Sequence, residues 1–404
     1  MRKKICMISL LLMAILISGC ANQSKTGDVK IIKATEQLQQ SNEKSYQNES
    51  LKIADEYENF YEQAKQSGTL GSLETQKKII ESIGTMGYTV VDAENQIDML
   101  QTDKIKHFIG LVNQKKAGKT TLICVGTAGD FERYDFETAN GKVDVSESHV
   151  GWKGTSPEND NIQKYEAYTW EYTKDGYLFF EQYHMSGYDG DSGHRAVRVK
   201  PLDEKCRKLN REYILPVGYK LNNMFIMDWN ETDFGNIDFY DLFDLFYPKV
   251  FGSSVPYTSS DNLGKGAAYH IPREEFEKVI MSHLKIDSTT LQKKTKYLSN
   301  KQSYEYRPRG LFDCEPPSYP FPEVESYTDN QDGTITLTVQ AVYPDHNTSK
   351  AFAYEVTIRP GKDDTYQYVS NHIIQNASND LGSWRVNRLT DNEWEKEYGE
   401  EELR

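Results

Sequence analysis

Apolar residues recur at helical spacing in the first part of the chain, and this spacing predicts three amphipathic helices. The first covers 51–66, the second ends at Gly87, and the third ends before Gly118. Their apolar faces are Ile53, Tyr57, Phe60, Tyr61 and Ala64, then Ile79, Ile80 and Ile83, then Ile105, Phe108, Ile109 and Val112. Because glycine readily adopts the left-handed conformation that ends helices, Gly87 is a suitable helix end.

The pattern then changes to strands joined by tight turns. Asn140-Gly141 and Asp175-Gly176 each lie between strand-like stretches, and both dipeptides favour β-hairpins. The predicted strands lie near 120–126, 129–138, 142–150, 164–172, 177–184 and 194–200, and we expect them to form one antiparallel sheet. Helices followed by a run of strands indicate an α+β domain over residues 50–250.

A smaller α+β domain is predicted over residues 269–378, after a Gly/Ser-rich linker at 251–268. Pro272 marks the N1 position of a helix whose buried stripe is Phe276, Val279, Ile280, His283 and Leu284. After a turn at Asp332-Gly333, two strands show alternation, with Ile335, Leu337, Val339 and Ala341 in one and Phe352, Tyr354, Val356 and Ile358 in the next. A helix on three or four antiparallel strands suggests a cystatin-like or NTF2-like domain. Residues 379–404 are predicted to be a loosely held acidic tail.

The first nineteen residues have the three parts of a secretory signal peptide. Three basic residues precede an apolar run from Ile5 to Ile17, which is too short for the ~20 residues of a spanning helix. Ile17-Ser-Gly-Cys20 resembles the lipobox of bacterial lipoproteins, in which the cysteine receives diacylglycerol and becomes the mature N-terminus. We therefore expect a lipid anchor on Cys20, a flexible polar tether over 20–49, and a folded part outside the cytoplasm.

Charge and cysteine content narrow the classes of partner. The chain carries a net charge of −14, and removing the three leader cations leaves 44 basic against 61 acidic residues, or −17. Such a charge disfavours nucleic acid as a partner. Beyond Cys6 and Cys20, an odd number of cysteines remains, so the chain is not a disulfide scaffold. Cys124 is expected to be a buried free thiol. A disulfide between Cys206 and Cys314 is neither favoured nor excluded by the sequence.

One loop has a composition that suggests chemistry. Gly190-Asp-Ser-Gly193 resembles the nucleophile motif of chymotrypsin-like proteases, but no matching histidine segment precedes it. The same loop offers four weak candidates for metal ligands, His184, Asp189, Asp191 and His194. Their spacing fits no zinc or EF-hand pattern, so a solvated turn is the favoured interpretation and no metal or cofactor is expected. Asx turns likewise account for the segment 329–333.

Two further segments are candidates for binding. In the loop 304–317, Arg307 and Arg309 flank a proline and could present their guanidinium groups, with Asp313 nearby, to a carboxylate or phosphate. Charge pairing with Asp313 and Glu315 inside the loop is the simpler interpretation. The segment 237–247 is an apolar helix with an acidic stripe of Asp238, Asp241 and Asp244. We expect this helix to pack between the two domains, the alternative being a partner surface.

Several segments together resemble a domain-of-unknown-function family of lipoproteins from low-GC Gram-positive anaerobes. They are Gly87–Asp92, Pro201–Arg207, Leu215–Tyr219, Asn222–Phe225 with Trp229, and Tyr306–Gly310 with Tyr319–Glu323. The resemblance spans nearly all of the mature chain and implies an outer-leaflet location facing the cell wall, but no activity. We therefore predict a membrane-anchored binding module at the cell surface, with a protein or glycan partner. The alternative is a cell-envelope hydrolase whose site is not visible in the sequence.

Overall fold

The computed structural model describes residues 25–188, 190–260, 265–363, 365–375 and 379–403, with the backbone alone for 25–42 and 400–403. The predicted signal peptide and Cys20 therefore lie outside the described residues. Within these ranges the helices are α1 Lys25–Ser67, α2 Leu73–Thr85, α3 Thr102–Asn113, α4 Glu204–Leu209, α5 Phe239–Phe251, α6 Arg273–His283, α7 Ser288–Lys293 and α8 Asp391–Tyr398. None of the helices in the described ranges is both long and apolar enough to span a membrane.

The described strands form four sheets, and the fold is α+β as predicted. The first nine strands are β1 Thr89–Asp92, β2 Gly118–Val125, β3 Phe131–Ala139, β4 Lys142–Lys153, β5 Ser156–Asn159, β6 Gln163–Glu166, β7 Thr169–Tyr172, β8 Tyr177–Glu181 and β9 His194–Arg198. The others are β10 Trp229–Asn230, β11 Lys265–Pro272, β12 Tyr297–Leu298, β13 Ser303–Tyr306, β14 Phe321–Asp329, β15 Ile335–Val342, β16 Ala353–Pro360, β17 Tyr366–Ile374 and β18 Glu400–Leu403.

The first sheet has the order β1-β2-β3-β4-β5 with β6 also on β4, and its strands β1 to β4 contribute side chains to two buried clusters. Because side chains alternate along a strand, Leu122 and Cys124 of β2 point to one face and Ile123 and Val125 to the other. The former pair packs in a cluster with α3, β8 and β9, and the latter in a cluster with α1 and α2. The three predicted amphipathic helices thus cover this sheet.

The prediction of one antiparallel sheet is wrong, because β7-β8-β9 form a separate three-stranded sheet. Strand β1, which is not one of the strands predicted for that sheet, pairs with β2 in parallel. The predicted strand 164–172 is divided into β6 and β7, which belong to different sheets. Alternation identifies which side chains are buried, but it does not identify the neighbouring strand. The predicted turns at Asn140-Gly141 and Asp175-Gly176 are confirmed, since each joins an antiparallel pair.

Helix α1 begins earlier than the predicted start of order near Leu51, so residues 25–49 of the predicted tether are helical. Its residues also contact the sheet before that point. The ring of Tyr46 lies 4.1 Å from the Arg133 guanidinium, and Glu49 accepts hydrogen bonds from Arg133 and Tyr88. A polar helix shows little hydrophobic periodicity, so its length could not be predicted from that pattern.

The C-terminal part is built on the antiparallel sheet β10-β17-β16-β15-β14 and a smaller sheet of order β12-β13-β11-β18. The predicted helix is α6, but Pro272 is its N-cap residue and not its N1 residue as predicted. The turn at Asp332-Gly333 joins β14 to β15 as predicted. The relation to cystatin-like or NTF2-like domains stays a prediction. In the part of the chain that the structure describes, Cys124, Cys206 and Cys314 are free thiols. Cys206 and Cys314 therefore do not form a disulfide there.

One hydrophobic cluster contains residues from Cys206 to Trp384, on both sides of the predicted linker at 251–268. Helix α5 is part of it: Phe243 stacks on Phe276 of α6, with ring centroids 5.0 Å apart, and Phe246 stacks on His283 at 4.1 Å. The apolar face of α5 is therefore buried inside the protein, and its interpretation as an exposed partner surface is wrong. The division into two domains stays a prediction about folding units.

Candidate functional site

The acidic stripe of α5 is the starting point of the candidate site. Asp238 is the N-cap residue of the helix and accepts hydrogen bonds from the backbone N–H groups of Tyr240 and Asp241. Asp241 and Asp244 follow at intervals of three residues, so the three carboxylates lie on one side of the helix. Burial raises the pKa of Asp238, with the charge of Asp241 as a second cause, and burial also raises the pKa of Asp244.

Three arginines from distant parts of the sequence surround the carboxylate of Asp241, whose side chain is 0% exposed. Arg309 donates from Nε and Nη2 to its two oxygens, at 2.9 and 2.8 Å. Arg388 donates from Nε at 3.1 Å, and Arg385 from Nη2 at 3.4 Å. A fully buried carboxylate needs such partners, because desolvation strongly disfavours its charged form.

The cluster continues from Asp241 to Asp244. Arg388 Nη2 donates to Asp244 Oδ2 at 2.7 Å, and the Tyr306 hydroxyl donates to Asp244 Oδ1. Burial lowers the pKa of Arg388, but the carboxylates of Asp241 and Asp244 more than offset this effect, and its pKa is raised. Three carboxylates of α5 thus balance three guanidinium groups, and this network fixes residues 385–388 against α5.

An open cleft of about 300 Å³ lies on the outer side of this network. The start of α5 contributes Asp238 and Tyr240, β13 contributes Glu305, and Arg307 follows directly after β13. Its remaining lining residues are Lys296, Asp313, Arg388, Leu389, Thr390, Asp391 and Trp394. The backbone directly after β13 is held by the buried network, because Arg388 Nη1 donates to the carbonyl oxygen of Arg307 at 2.6 Å.

Two cations converge inside the cleft. Arg307 Nη1 donates to Asp391 Oδ1 at 3.0 Å, and Lys296 Nζ lies 3.4 Å from Asp391 Oδ2. Both cations also pair with Glu305, at 3.2 Å in the case of Arg307 Nη2. The guanidinium of Arg307 lies 4.2 Å from the centre of the Trp394 ring. The cleft therefore offers cationic donors, carboxylate acceptors and an aromatic ring within one small volume.

The structure separates the roles of the predicted binding residues in this loop. Arg307 lines the cleft, whereas Arg309 is buried and donates to Asp241 and to the carbonyl oxygens of Asp313 and Val386. Asp313 accepts backbone N–H groups from Gly310 and Leu389. The predicted pairing of these arginines with the carboxylates of Asp313 and Glu315 is wrong. Arg307 pairs with Glu305 and Asp391, Arg309 pairs with Asp241, and Glu315 pairs with Lys220.

The weak metal candidates have other partners. Asp191 accepts hydrogen bonds from Arg195 Nη1 and Gly193 N, both at 2.7 Å, while the ring of His184 stacks on Tyr188 at 4.1 Å. His194 Nε2 lies 3.7 Å from Glu181, and Asp189 is outside the described residues. Within the described ranges, no three His, Cys, Asp or Glu side chains are grouped so that they could hold a metal ion.

The turn interpretation is confirmed for the segment 329–333, where Asp332 accepts from the N–H of Thr334 at 3.0 Å. In the protease-like motif, Ser192 Oγ donates to Asp345, at 3.3 Å. Neither segment contributes to the cleft.

Sequence reasoning missed most of the cleft. The residues it did not select are Asp241 as the centre of the buried network, Arg385 and Arg388 as its partners, and Lys296, Asp391 and Trp394 as cleft residues. One signal was present, because carboxylates at helical spacing in an otherwise apolar helix need buried cations. The residues that supply those cations, however, lie 68 to 147 positions away along the chain.

Comparison with known proteins identifies the family and nothing more specific. The chain belongs to a family of unknown function, DUF6070, whose model matches residues 43–388. No curated protein and no solved structure matches the chain significantly. The match includes α5, β13 and the three arginines of the buried network, and it ends directly before α8.

Proposed function

We propose that this member of the DUF6070 family is a lipid-anchored binding module at the extracytoplasmic face of the cell membrane, and that its ligand site is the cleft between α5, β13 and α8. The leader and Cys20 support the location, since a lipobox-like cysteine after a short apolar run is typical of bacterial lipoproteins. The proposed ligand site is supported by one observation: a polar cleft lies directly in front of a buried network that holds its lining in place.

That network prepares the cleft for binding. Arg388 is held by Asp241 and Asp244, and it in turn holds the backbone of Arg307. Side chains that are already ordered lose less conformational entropy when a ligand arrives, so a prepared site binds more tightly than a mobile one. The cleft volume of about 300 Å³ is at the lower end of the range for small-molecule sites.

The lining residues favour recognition over covalent chemistry. Arg307, Lys296 and Glu305 pair with one another or with Asp391, and they present hydrogen-bonding groups whose positions are fixed. The Thr390 hydroxyl is engaged with Glu393 in the capping box of α8. A small polar ligand with a ring or an aliphatic face could pair with these groups and contact Tyr240 or Trp394.

The test uses the five tryptophans of the chain as reporters. The protein is labelled with 5-fluorotryptophan, and its ¹⁹F signals are assigned by single Trp→Phe variants. A panel of neutral, carboxylated and phosphorylated sugars, namely N-acetylglucosamine, N-acetylmuramate, glucose, glucuronate and glucose 6-phosphate, is then titrated in. We expect the Trp394 signal to shift, while those of Trp152, Trp170, Trp229 and Trp384 serve as internal controls.

Saturable movement of the Trp394 signal alone would support the cleft as the ligand site. A shift of another tryptophan's signal, with the Trp394 signal unchanged, would place the site elsewhere. If no signal shifted with any compound, the proposal would be overturned. Release of acetate or phosphate from these compounds, detected in ¹H and ³¹P spectra of the same samples, would instead support the alternative of a cell-envelope hydrolase.

A further inference from the structure

We infer that the ligand of this cleft is a monocarboxylate, and that the side chain of Asp391 occupies the ligand carboxylate's place in the free protein. The inference rests on the proposed function, because it names the ligand class of the same cleft. It follows from the geometry around Asp391, from the balance of charge there and from the position of α8.

Arg307, one of the two cations that meet Asp391, is more firmly placed than Asp391 itself. The Arg307 side chain is 17% exposed, and it is held by Trp394 on one face and by Glu305 at Nη2. The Asp391 side chain is 63% exposed and projects from the first turn of α8. Rotation of this one side chain would free both cations without any movement of the backbone.

Arg307 also has an unused donor. Its buried Nε has no hydrogen-bond partner among the described residues. Buried donors in native proteins are almost always paired, and those that are not call for an explanation such as a missing ligand. This donor belongs to the same guanidinium group that meets Asp391 through Nη1.

The balance of charge selects a monoanion. With Asp391 turned away, Glu305 pairs with both Lys296 and Arg307, and these three groups in direct contact carry one net positive charge. A carboxylate restores neutrality. A phosphate group, with up to two negative charges, would leave an excess next to the carboxylates of Asp238 and Asp313, which line the same cleft.

Displacing Asp391 should also cost little. Ion pairs of exposed carboxylates contribute little to stability, because water screens them and the side chains lose entropy when they pair. The family match contains the cleft cations but ends at residue 388, just before the helix that carries Asp391.

The experiment compares matched acidic and neutral sugars, which are glucuronate with glucose and N-acetylmuramate with N-acetylglucosamine. Dissociation constants come from the Trp394 ¹⁹F shift of the full folded chain. We expect Asp391→Asn to tighten binding of both acids about fivefold, which corresponds to the loss of two weak exposed ion pairs. Binding of the neutral sugars should not change. Lys296→Met should weaken acid binding by about tenfold or more, since it removes a charge-assisted contact.

A second ion pair of the chain supplies matched controls. Lys205 and Asp329 lie 3.0 Å apart and are 44% and 63% exposed, against 43% and 63% for Lys296 and Asp391, and neither lines the cleft. Asp329→Asn and Lys205→Met change the net charge of the protein by the same amounts. They should leave all four dissociation constants unchanged.

The outcomes separate the inference from the proposed function. Equal binding of acidic and neutral sugars, unaffected by Asp391→Asn, would overturn the monocarboxylate inference but keep the cleft as a ligand site. Tighter binding of glucose 6-phosphate than of glucuronate would also overturn the ligand class. If Asp329→Asn tightened acid binding as much as Asp391→Asn does, the effect would come from the net charge of the protein, and the inference would be overturned. If the ¹⁹F signal of Trp394 did not shift with any sugar, in either wild type or Asp391→Asn, both proposals would be overturned.

Discussion

Arg309 holds the buried carboxylate of Asp241 through two parallel hydrogen bonds, from Nε to Oδ1 at 2.9 Å and from Nη2 to Oδ2 at 2.8 Å. This bidentate pair is the inner end of the network behind the cleft. It joins the middle of α5 to the loop after β13, and Arg385 and Arg388 attach the C-terminal segment to the same carboxylate.

Removing the charge of Asp241 should destabilise the protein strongly. Asp241→Asn keeps the shape of the side chain but leaves three buried guanidinium groups without their shared anion, so we expect a loss of about 3–5 kcal/mol in the free energy of unfolding. Urea denaturation measures this loss. Asp329→Asn, at an exposed carboxylate, should change stability by no more than about 0.5 kcal/mol. A loss below about 1 kcal/mol for Asp241→Asn would show that the network is not a structural support.

His283 should make stability depend on pH. Burial, followed by the positive charge of Lys249, lowers the pKa of His283 to about 4. In the unfolded chain the pKa of a histidine is about 6.5, so between these values the unfolded state binds a proton that the folded state does not. Stability should therefore fall as pH decreases from about 6.5 to about 4, by at most about 1.4 kcal/mol per pH unit from this group.

The check compares urea denaturation of wild type and His283→Gln across this pH range. The difference in unfolding free energy between the two proteins should shrink as pH falls, because the variant lacks this proton uptake. His372→Gln, at a side chain that is 69% exposed, is the control and should follow wild type. A constant difference between wild type and His283→Gln would contradict the lowered pKa.

Gly266 should control the docking of α8. A Cβ atom at this position would lie 1.8 Å from Cζ2 of the buried Trp394, which no real contact permits, so Gly266→Ala must displace the ring. We expect a loss of about 1–3 kcal/mol and faster tryptic cleavage at Lys396. Gly110→Ala places its Cβ 3.9 Å from the nearest atom, inside helix α3, and should be neutral or slightly stabilising. Unchanged cleavage of Gly266→Ala would mean that Trp394 does not hold α8.

Cys20 should decide membrane association. Two acyl chains give stable anchoring, since each buried CH₂ contributes about 0.8 kcal/mol and one chain alone binds only reversibly. Wild-type protein should therefore be recovered with membranes, and Cys20→Ala should not. Cys314→Ala, at an exposed cysteine of the folded part, is the matched control and should fractionate like wild type. Equal membrane recovery of Cys20→Ala and wild type would contradict the lipid anchor.

The sequence by itself determined the elements whose signals are local. Helical spacing gave the buried faces of α2 and α3, and the Asn-Gly and Asp-Gly turns gave the hairpins, because both depend on residues a few positions apart. The same reasoning gave the α+β class, and it selected Arg307, which does line the cleft. It did not show that strand 164–172 divides between two sheets, since strand pairing depends on residues far apart along the chain.

Only the tertiary structure decided what the charged residues do. From the sequence, Arg307 and Arg309 are two equivalent cations beside a proline, yet one lies in an open cleft and the other on a fully buried carboxylate. The acidic stripe of α5 indicated that its carboxylates need cationic partners, but it did not indicate which residues supply them. Its partners come from a loop and a C-terminal segment whose positions are set by packing, because desolvation makes an unpaired buried charge too costly to leave unmatched.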